Sequence, residues 1–118
     1  MRHNRKRTLL SRPNKVRDAL LRNMATSLVL HDKIVTTTAK AKVLKVFIEK
    51  LVTIAKNDTT VSAIRKLNAV FYKEEATRKM IEVIKPQMST RTSGFVRLHK
   101  KLPRVTDAAP QTEISFVS

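Results

Sequence analysis

Residues 39–56 read AKAKVLKVFIEKLVTIAK and carry the most regular helical pattern in the chain. Apolar side chains recur there at intervals of three and four residues, the spacing that places them on one face of an α-helix. Thr38 precedes the pattern and is suited to cap it, and Asn57 and Asp58 follow it. We therefore expect a long amphipathic helix that ends near residue 57. Its apolar positions are Leu44, Phe47, Ile48, Leu51, Ile54 and Ala55, and its opposite flank carries Lys42, Lys45, Glu49 and Lys56.

Two shorter elements are predicted before this helix. Ser11, Pro13 and Asn14 are typical of a helix start, and helical spacing then continues to about His31. The apolar stripe of this first helix is expected at Val16, Leu20, Met24 and Leu28, with Lys15, Asp18 and Arg22 on the opposite side. Residues 33–37 are rich in β-branched side chains, which favour a short strand.

Two further helices and two strands are predicted after the long helix. Val61, Ile64, Leu67 and Phe71 give the third helix, and Ala76, Met80, Ile81 and Ile84 give a fourth that Pro86 must end or kink. Alternating apolar and polar residues around Phe95 to His99 and around Glu113 to Val117 indicate strands. The single glycine, Gly94, precedes the first of these strands, where a backbone turn is expected.

The order helix, strand, three helices, two strands predicts an α+β fold. One layer of helices would cover one face of a small mixed sheet, giving a single two-layer domain at residues 13–118. Residues 1–12 are predicted to be a basic arm that precedes this domain.

Positive charge dominates the composition. The 118 residues include 25 Lys plus Arg against 9 Asp plus Glu, a formal net charge of +16. Two stretches lack acids altogether, residues 1–17 and residues 83–106. So much charge on a small domain predicts a polyanionic partner rather than a small-molecule substrate.

Several kinds of chemistry are disfavoured by the residue content. There is no cysteine, and His3, His31 and His99 lie on separate elements, so we expect no metal site. One glycine cannot form a phosphate-binding glycine loop. Ser27, His31 and Asp32 superficially resemble a catalytic set, but adjacent residues on a helix point apart. We therefore expect no enzyme activity and no cofactor.

The pattern of cations favours RNA over two alternatives. No short helix-turn-helix with a recognition helix is evident, whereas cations spread over an arm and several elements are typical of proteins that bind structured RNA. A nucleoid-associated protein that binds DNA would need the same charge, and competition between duplex DNA and structured RNA separates the two. A membrane-surface role is disfavoured, because the long helix has the apolar stripe of a core helix and no run of apolar residues could cross a bilayer.

Along nearly its full length the sequence resembles the bacterial ribosomal large-subunit protein seventeen family. The opening Met1-Arg2-His3, the segment Arg22-Asn23-Met24-Ala25 and the segment Lys40-Ala41-Lys42 match that family's pattern in order. Further matches are Leu10, Ser11, Arg12, Arg17, Ser27, Leu28, His31, Ile34, Thr36, Thr37, Leu51, Thr53, Ala55, Lys56, Asp58, Arg91, Gly94, Phe95, Arg97, Arg104, Asp107, Ala109, Pro110, Glu113 and Ile114. The sequence departs from the family at Val16, Ser93, Thr106 and Gln111, which bears on local turns.

The resemblance implies a protein of the cytoplasm that has no catalytic activity. It implies a structural constituent of the large ribosomal subunit that binds ribosomal RNA and stabilises its folding and assembly, near the peptide exit side. It also implies a neighbouring ribosomal protein of the thirty-second large-subunit family as a partner. The candidate RNA-binding residues are Arg2, His3, Arg5, Lys6, Arg7, Arg12, Lys15, Arg17, Arg22, Asn23, His31, Lys40, Lys42, Arg91, Arg97, Lys100, Lys101 and Arg104.

Overall fold

The elements follow one another in the order expected from the sequence. The structure, a computed structural model, describes residue 10 and residues 13–117. Its helices are α1 (Asn14–His31), α2 (Thr38–Asn57), α3 (Thr60–Val70), α4 (Glu74–Lys79) and α5 (Lys85–Gln87), with a π-helical turn (Met80–Ile84) between the last two. Its strands are β1 (Lys33–Thr37), β2 (Val96–Lys101) and β3 (Gln111–Phe116). The α+β prediction is confirmed, and the predicted fourth helix is the run α4, π-turn and α5.

The three strands form one antiparallel sheet in the order β1-β3-β2. Ile114 in the central strand is opposite Ile34 in β1 and Leu98 in β2. The prediction of a mixed sheet was wrong, because β3 runs antiparallel to both of its neighbours. β3 follows β2 in the chain and runs back alongside it as a hairpin. It is also antiparallel to β1, its other neighbour.

The core forms where α2 packs on one face of this sheet. α2 contacts all three strands as well as α1, α3 and the π-turn. Its buried residues are Ala41, Leu44, Ile48, Leu51, Val52 and Ala55, which confirms most of the predicted stripe. Ile114, Val96 and Phe95 close the core from the sheet side, and Leu28 and Val29 close it from α1.

The buried faces of α1 and α3 agree only in part with the predicted ones, since Leu28, Leu67 and Phe71 are buried as expected. Val16 is exposed and Leu20 and Met24 are half-buried, while α1 also buries Arg17, Leu21, Ala25, Thr26 and Val29. On α3, Val61 and Ile64 are exposed while Ala63 and Leu67 are buried. Small residues face the neighbouring helices in both cases, because alanine allows helix backbones to approach closely.

The helix ends confirm some local expectations and shift others by one residue. Thr37, not Thr38, is the residue before α2, and the Thr38 hydroxyl instead contacts the Thr112 hydroxyl of β3 at 2.8 Å. Pro86 lies inside α5 and follows the π-turn, since a proline nitrogen cannot complete the hydrogen bond of a regular helix. Gly94 has a φ of +67°, as expected for a turn before β2.

Two valines on α2 test whether the buried face of this helix stabilises the fold. Val52 is fully buried, whereas Val46 is 56% exposed on the same helix. We expect Val52→Ala to lower the free energy of unfolding by about 2 kcal/mol, since it removes buried methyl groups and leaves a cavity. Val46→Ala should change it by less than about 0.5 kcal/mol. Urea denaturation followed by circular dichroism measures both, and equal losses would contradict the packing described.

Candidate nucleic-acid interface

The helices cover one face of the sheet and leave the other face open to solvent. Side chains alternate between the two faces of a strand, so the strand register defines the open one. Ile34, Ile114, Leu98 and Val96 point into the core. The open sheet face consists of Lys33, Val35 and Thr37 of β1, Gln111, Glu113 and Ser115 of β3, and Arg97, His99 and Lys101 of β2.

Positive charge prevails on the open sheet face. Lys33 and Arg97 are exposed, and both are opposite Ser115, so their backbones lie two strand spacings, roughly 10 Å, apart. Neither has a carboxylate partner among the described residues. Glu113 is the single acid among the residues of this face, and Lys101 pairs with it at 3.2 Å. The face therefore presents cations whose charge the described part of the protein does not neutralise.

The loop between β2 and β3 is shaped by one arginine. Arg104 donates from Nε and Nη2 to the two carboxylate oxygens of Asp107, at 3.0 and 2.7 Å. Asp107 also accepts the backbone N–H of Ala109 at 3.2 Å. Two donors of the guanidinium are thus engaged within the loop. The role of Arg104 in RNA binding stays a prediction, and its visible role is to order the loop.

A lysine at the end of α2 positions the segment that carries Arg91. The Lys56 ammonium donates to the backbone carbonyl of Arg91 and lies 5.1 Å from the ring centroid of Phe95. The Arg91 amide donates to Met88 at 3.1 Å, so the backbone is held on both sides while the side chain is exposed. Sequence analysis placed Lys56 on the polar flank of α2 but could not show which loop it holds.

The candidate residues on α1 and at the start of α2 differ in exposure. Lys15, Arg22, Asn23, His31 and Lys42 are exposed, and Lys40 is half-buried. Arg17 is different, because its side chain is buried with only 6% exposed. Its Nη1 has no hydrogen-bond partner among the described residues. Arg17 therefore does not present an open cationic surface as the sequence suggested.

The remaining candidates divide into exposed and undescribed residues. Lys100 is exposed on β2, without an ion pair to any described residue. Arg2, His3, Arg5, Lys6, Arg7 and Arg12 lie outside the described residues.

Other chemistry was sought in the same part of the chain. No group of three or more metal-ligating side chains occurs within residues 13–117. Asp32 of the superficial catalytic set pairs with Lys79 at 2.8 Å. None of the helices that the structure describes combines the length and the apolar character required to span a bilayer.

Comparison with known proteins supplies the family. The family model for ribosomal protein L17 matches residues 20–117, most of the chain. The chain belongs to the ribosomal protein L17 family. As a member it is a structural ribosomal protein, not an enzyme.

Individual relatives of this L17-family protein align over most of its length. It is 40% identical over 117 residues to the large ribosomal subunit protein bL17 of Aliarcobacter butzleri, covering 99% of this chain and all of the relative. It is 42% identical over 119 residues to the bL17 of Persephonella marina, covering 99% of this chain and 95% of the relative. Against the large ribosomal subunit protein bL17m of Schizosaccharomyces pombe it is 44% identical over 110 residues, covering 92% of this chain and 53% of that longer protein.

The Arg104–Asp107 pair gives this L17-family protein a testable pH dependence. The hydrogen bond from Arg104, followed by that from the Ala109 amide, lowers the pKa of Asp107. Because this pKa is lower in the folded state, the loop contacts are complete above the ordinary aspartate pKa and are lost as pH falls through the lowered one. NMR titration of the Ala109 amide should give a midpoint below that of Asp107 in a peptide of residues 103–110.

Two variants separate this loop contact from other titrations. Asp107→Asn should abolish the Ala109 titration, and Arg104→Ala should raise the midpoint towards the peptide value. A midpoint in the intact protein equal to that of the peptide would contradict the geometry.

Proposed function

We propose that this chain is a structural constituent of the large ribosomal subunit that binds ribosomal RNA in the cytoplasm and stabilises its folding and assembly. Family membership supports the ribosomal role, and the open sheet face supports RNA as the ligand. The observation that carries the proposal is the exposed pair Lys33 and Arg97, which have no carboxylate partner among the described residues.

The mechanism is neutralisation of phosphates from several sides. Arg97 offers a planar set of donors to phosphate oxygens, and Lys33 and Lys100 add point charges. Arg91 comes from a segment that Lys56 holds against α2. Because these groups lie on different elements of one packed fold, they can hold separate RNA segments in a fixed relation.

The basic arm, residues 1–12, extends the same role in our proposal. Its cations are Arg2, Arg5, Lys6, Arg7 and Arg12, with no acid among them. The resemblance described above supports a place near the peptide exit side, beside a ribosomal protein of the thirty-second large-subunit family.

Two matched double variants test whether the open sheet face binds RNA. Lys33→Gln with Arg97→Gln removes two charges from this face. The control, Lys66→Gln with Arg78→Gln, removes two exposed charges from α3 and α4, where Lys66 pairs with Asp58 at 2.6 Å. We expect the first variant to reduce the slope of log affinity against log salt by roughly 1.4 to 1.8, at about 0.7 to 0.9 per phosphate contact, and the control to change it little.

The measurement is fluorescence anisotropy with large-subunit ribosomal RNA fragments over a range of salt. Circular dichroism shows whether both variants stay folded. The same loss of slope in both variants would mean that binding depends on net charge and not on this face.

A further inference from the structure

A small pocket lies between α1 and the loop that joins α3 to α4. It has a volume of about 230 Å³ and is lined by Lys15, Asp18, Ala19, Arg22 and Tyr72. The first four residues share the exposed flank of α1, because they are spaced by about one helical turn. Tyr72 comes from the loop and is 53% exposed. An aromatic ring thus stands beside two cations in a recess open to solvent.

The backbone of Tyr72 is hydrogen-bonded to α1. The Tyr72 backbone N–H donates to the hydroxyl of Thr26 at 3.3 Å, and that hydroxyl donates to the carbonyl of Arg22 at 2.8 Å. The preceding Phe71 is buried with only 5% exposed and anchors the loop in the core. The Tyr72 backbone is therefore held against α1 before any ligand arrives, and its ring lines the same pocket as Arg22. A loop that is already ordered lowers the entropy cost of binding.

The charges of the pocket indicate a ligand with more than one kind of group. Lys15 and Arg22 form no ion pair with Asp18 or with any other acid in the described part of the chain. The two cations suit a phosphate. The Asp18 carboxylate repels phosphate but accepts hydrogen bonds, so it suits a hydroxyl or a ring N–H. An exposed ring of this kind is a surface on which a base can stack.

We propose that this pocket binds one unstacked nucleotide of RNA. The base stacks on the Tyr72 ring, Lys15 and Arg22 hold its phosphate, and Asp18 accepts a hydrogen bond from the ribose 2′-hydroxyl or from the base. A base stacked within a duplex has no free face to offer the ring, so in this proposal the site selects a single-stranded or bulged position. This inference rests on the proposed function, and it adds a site that reads the local form of the RNA to surfaces that bind only its charge.

The full chain labelled with 3-fluorotyrosine tests the site directly. The chain contains one tyrosine, so its ¹⁹F NMR spectrum holds a single resonance from Tyr72. The probes are a short single-stranded oligoadenylate and the duplex that it forms with oligouridylate. We expect the single strand to shift this resonance through the ring current of the stacked base, and the duplex to leave it in place.

Affinity measurements on variants provide the second readout. Tyr72→Ala should weaken binding of the single strand about tenfold, while Tyr72→Phe keeps the ring and should bind like the unaltered chain. Leu102→Ala is the control for an exposed apolar side chain, because Leu102 is 86% exposed in the loop after β2. Lys15→Gln should weaken binding more than Lys73→Gln, since Lys73 is next to Tyr72 but does not line the pocket.

The outcomes separate this inference from the proposed function. If anisotropy shows that the oligoadenylate binds while the Tyr72 resonance does not move, the pocket proposal is overturned and the charged surfaces remain. Equal affinity of the Tyr72→Ala variant and the unaltered chain would overturn it in the same way. If the unaltered chain binds no RNA of either form, both proposals fail. Should Tyr72→Ala fail to fold, the resonance and the Tyr72→Phe variant still decide.

Discussion

The packing of α2 against the sheet holds this molecule together. This helix contacts the three strands on one side, and α1, α3 and the π-turn pack around it. Its buried residues, from Ala41 to Ala55, face these elements at helical spacing. Because every helix of the described part that takes part in this core lies on the same side of the sheet, the described helices leave the opposite side uncovered.

The uncovered side of the sheet is a surface on which a polyanion can neutralise the positive charge of the chain. Net charge of +16 on a domain of this size opposes compaction unless a polyanion neutralises it. Four of the described carboxylates, those of Asp58, Asp32, Glu113 and Asp107, pair with Lys66, Lys79, Lys101 and Arg104, and the other described cations form no ion pair with a described acid. In our account the phosphates of the RNA neutralise the positive charge of the protein, while the packing of α2 stabilises its fold.

The sequence predicted the elements better than the faces they bury. A helix with Leu44, Ile48 and Leu51 at regular spacing admits one orientation, so α2 could be predicted together with its core face. In α1 and α3 both large apolar residues and alanines could form the buried face, and the packing against neighbouring helices determines which of them are buried. Val16 and Ile64 are therefore exposed where Ala25 and Ala63 are buried. The prediction of a mixed sheet was wrong for a related reason. Whether two strands are parallel or antiparallel depends on which strands pair, and that is a long-range property.

The residues of the candidate site differ in the same way, since some follow from a local sequence pattern and others depend on long-range packing. Alternation along β2 was enough to find Arg97, because a strand exposes every second residue. Lys101 was found from the stretch without acids at residues 83–106. Lys33 needed the pairing of β1 with β3, Arg17 needed the packing of α1, and Tyr72 needed a loop brought against a distant helix. Side chains that act through long-range contacts leave no periodic signal in the sequence.

The central claim is that this chain is held in the large ribosomal subunit by many simultaneous RNA contacts. Quantitative mass spectrometry across a sucrose gradient of cell lysate tests it most directly, in salt high enough to strip loosely bound basic proteins. The account predicts that the chain sediments with the large subunit at one copy per particle, because many contacts must break together for release. Its absence from that peak, with recovery on DNA or in membranes, would contradict the account.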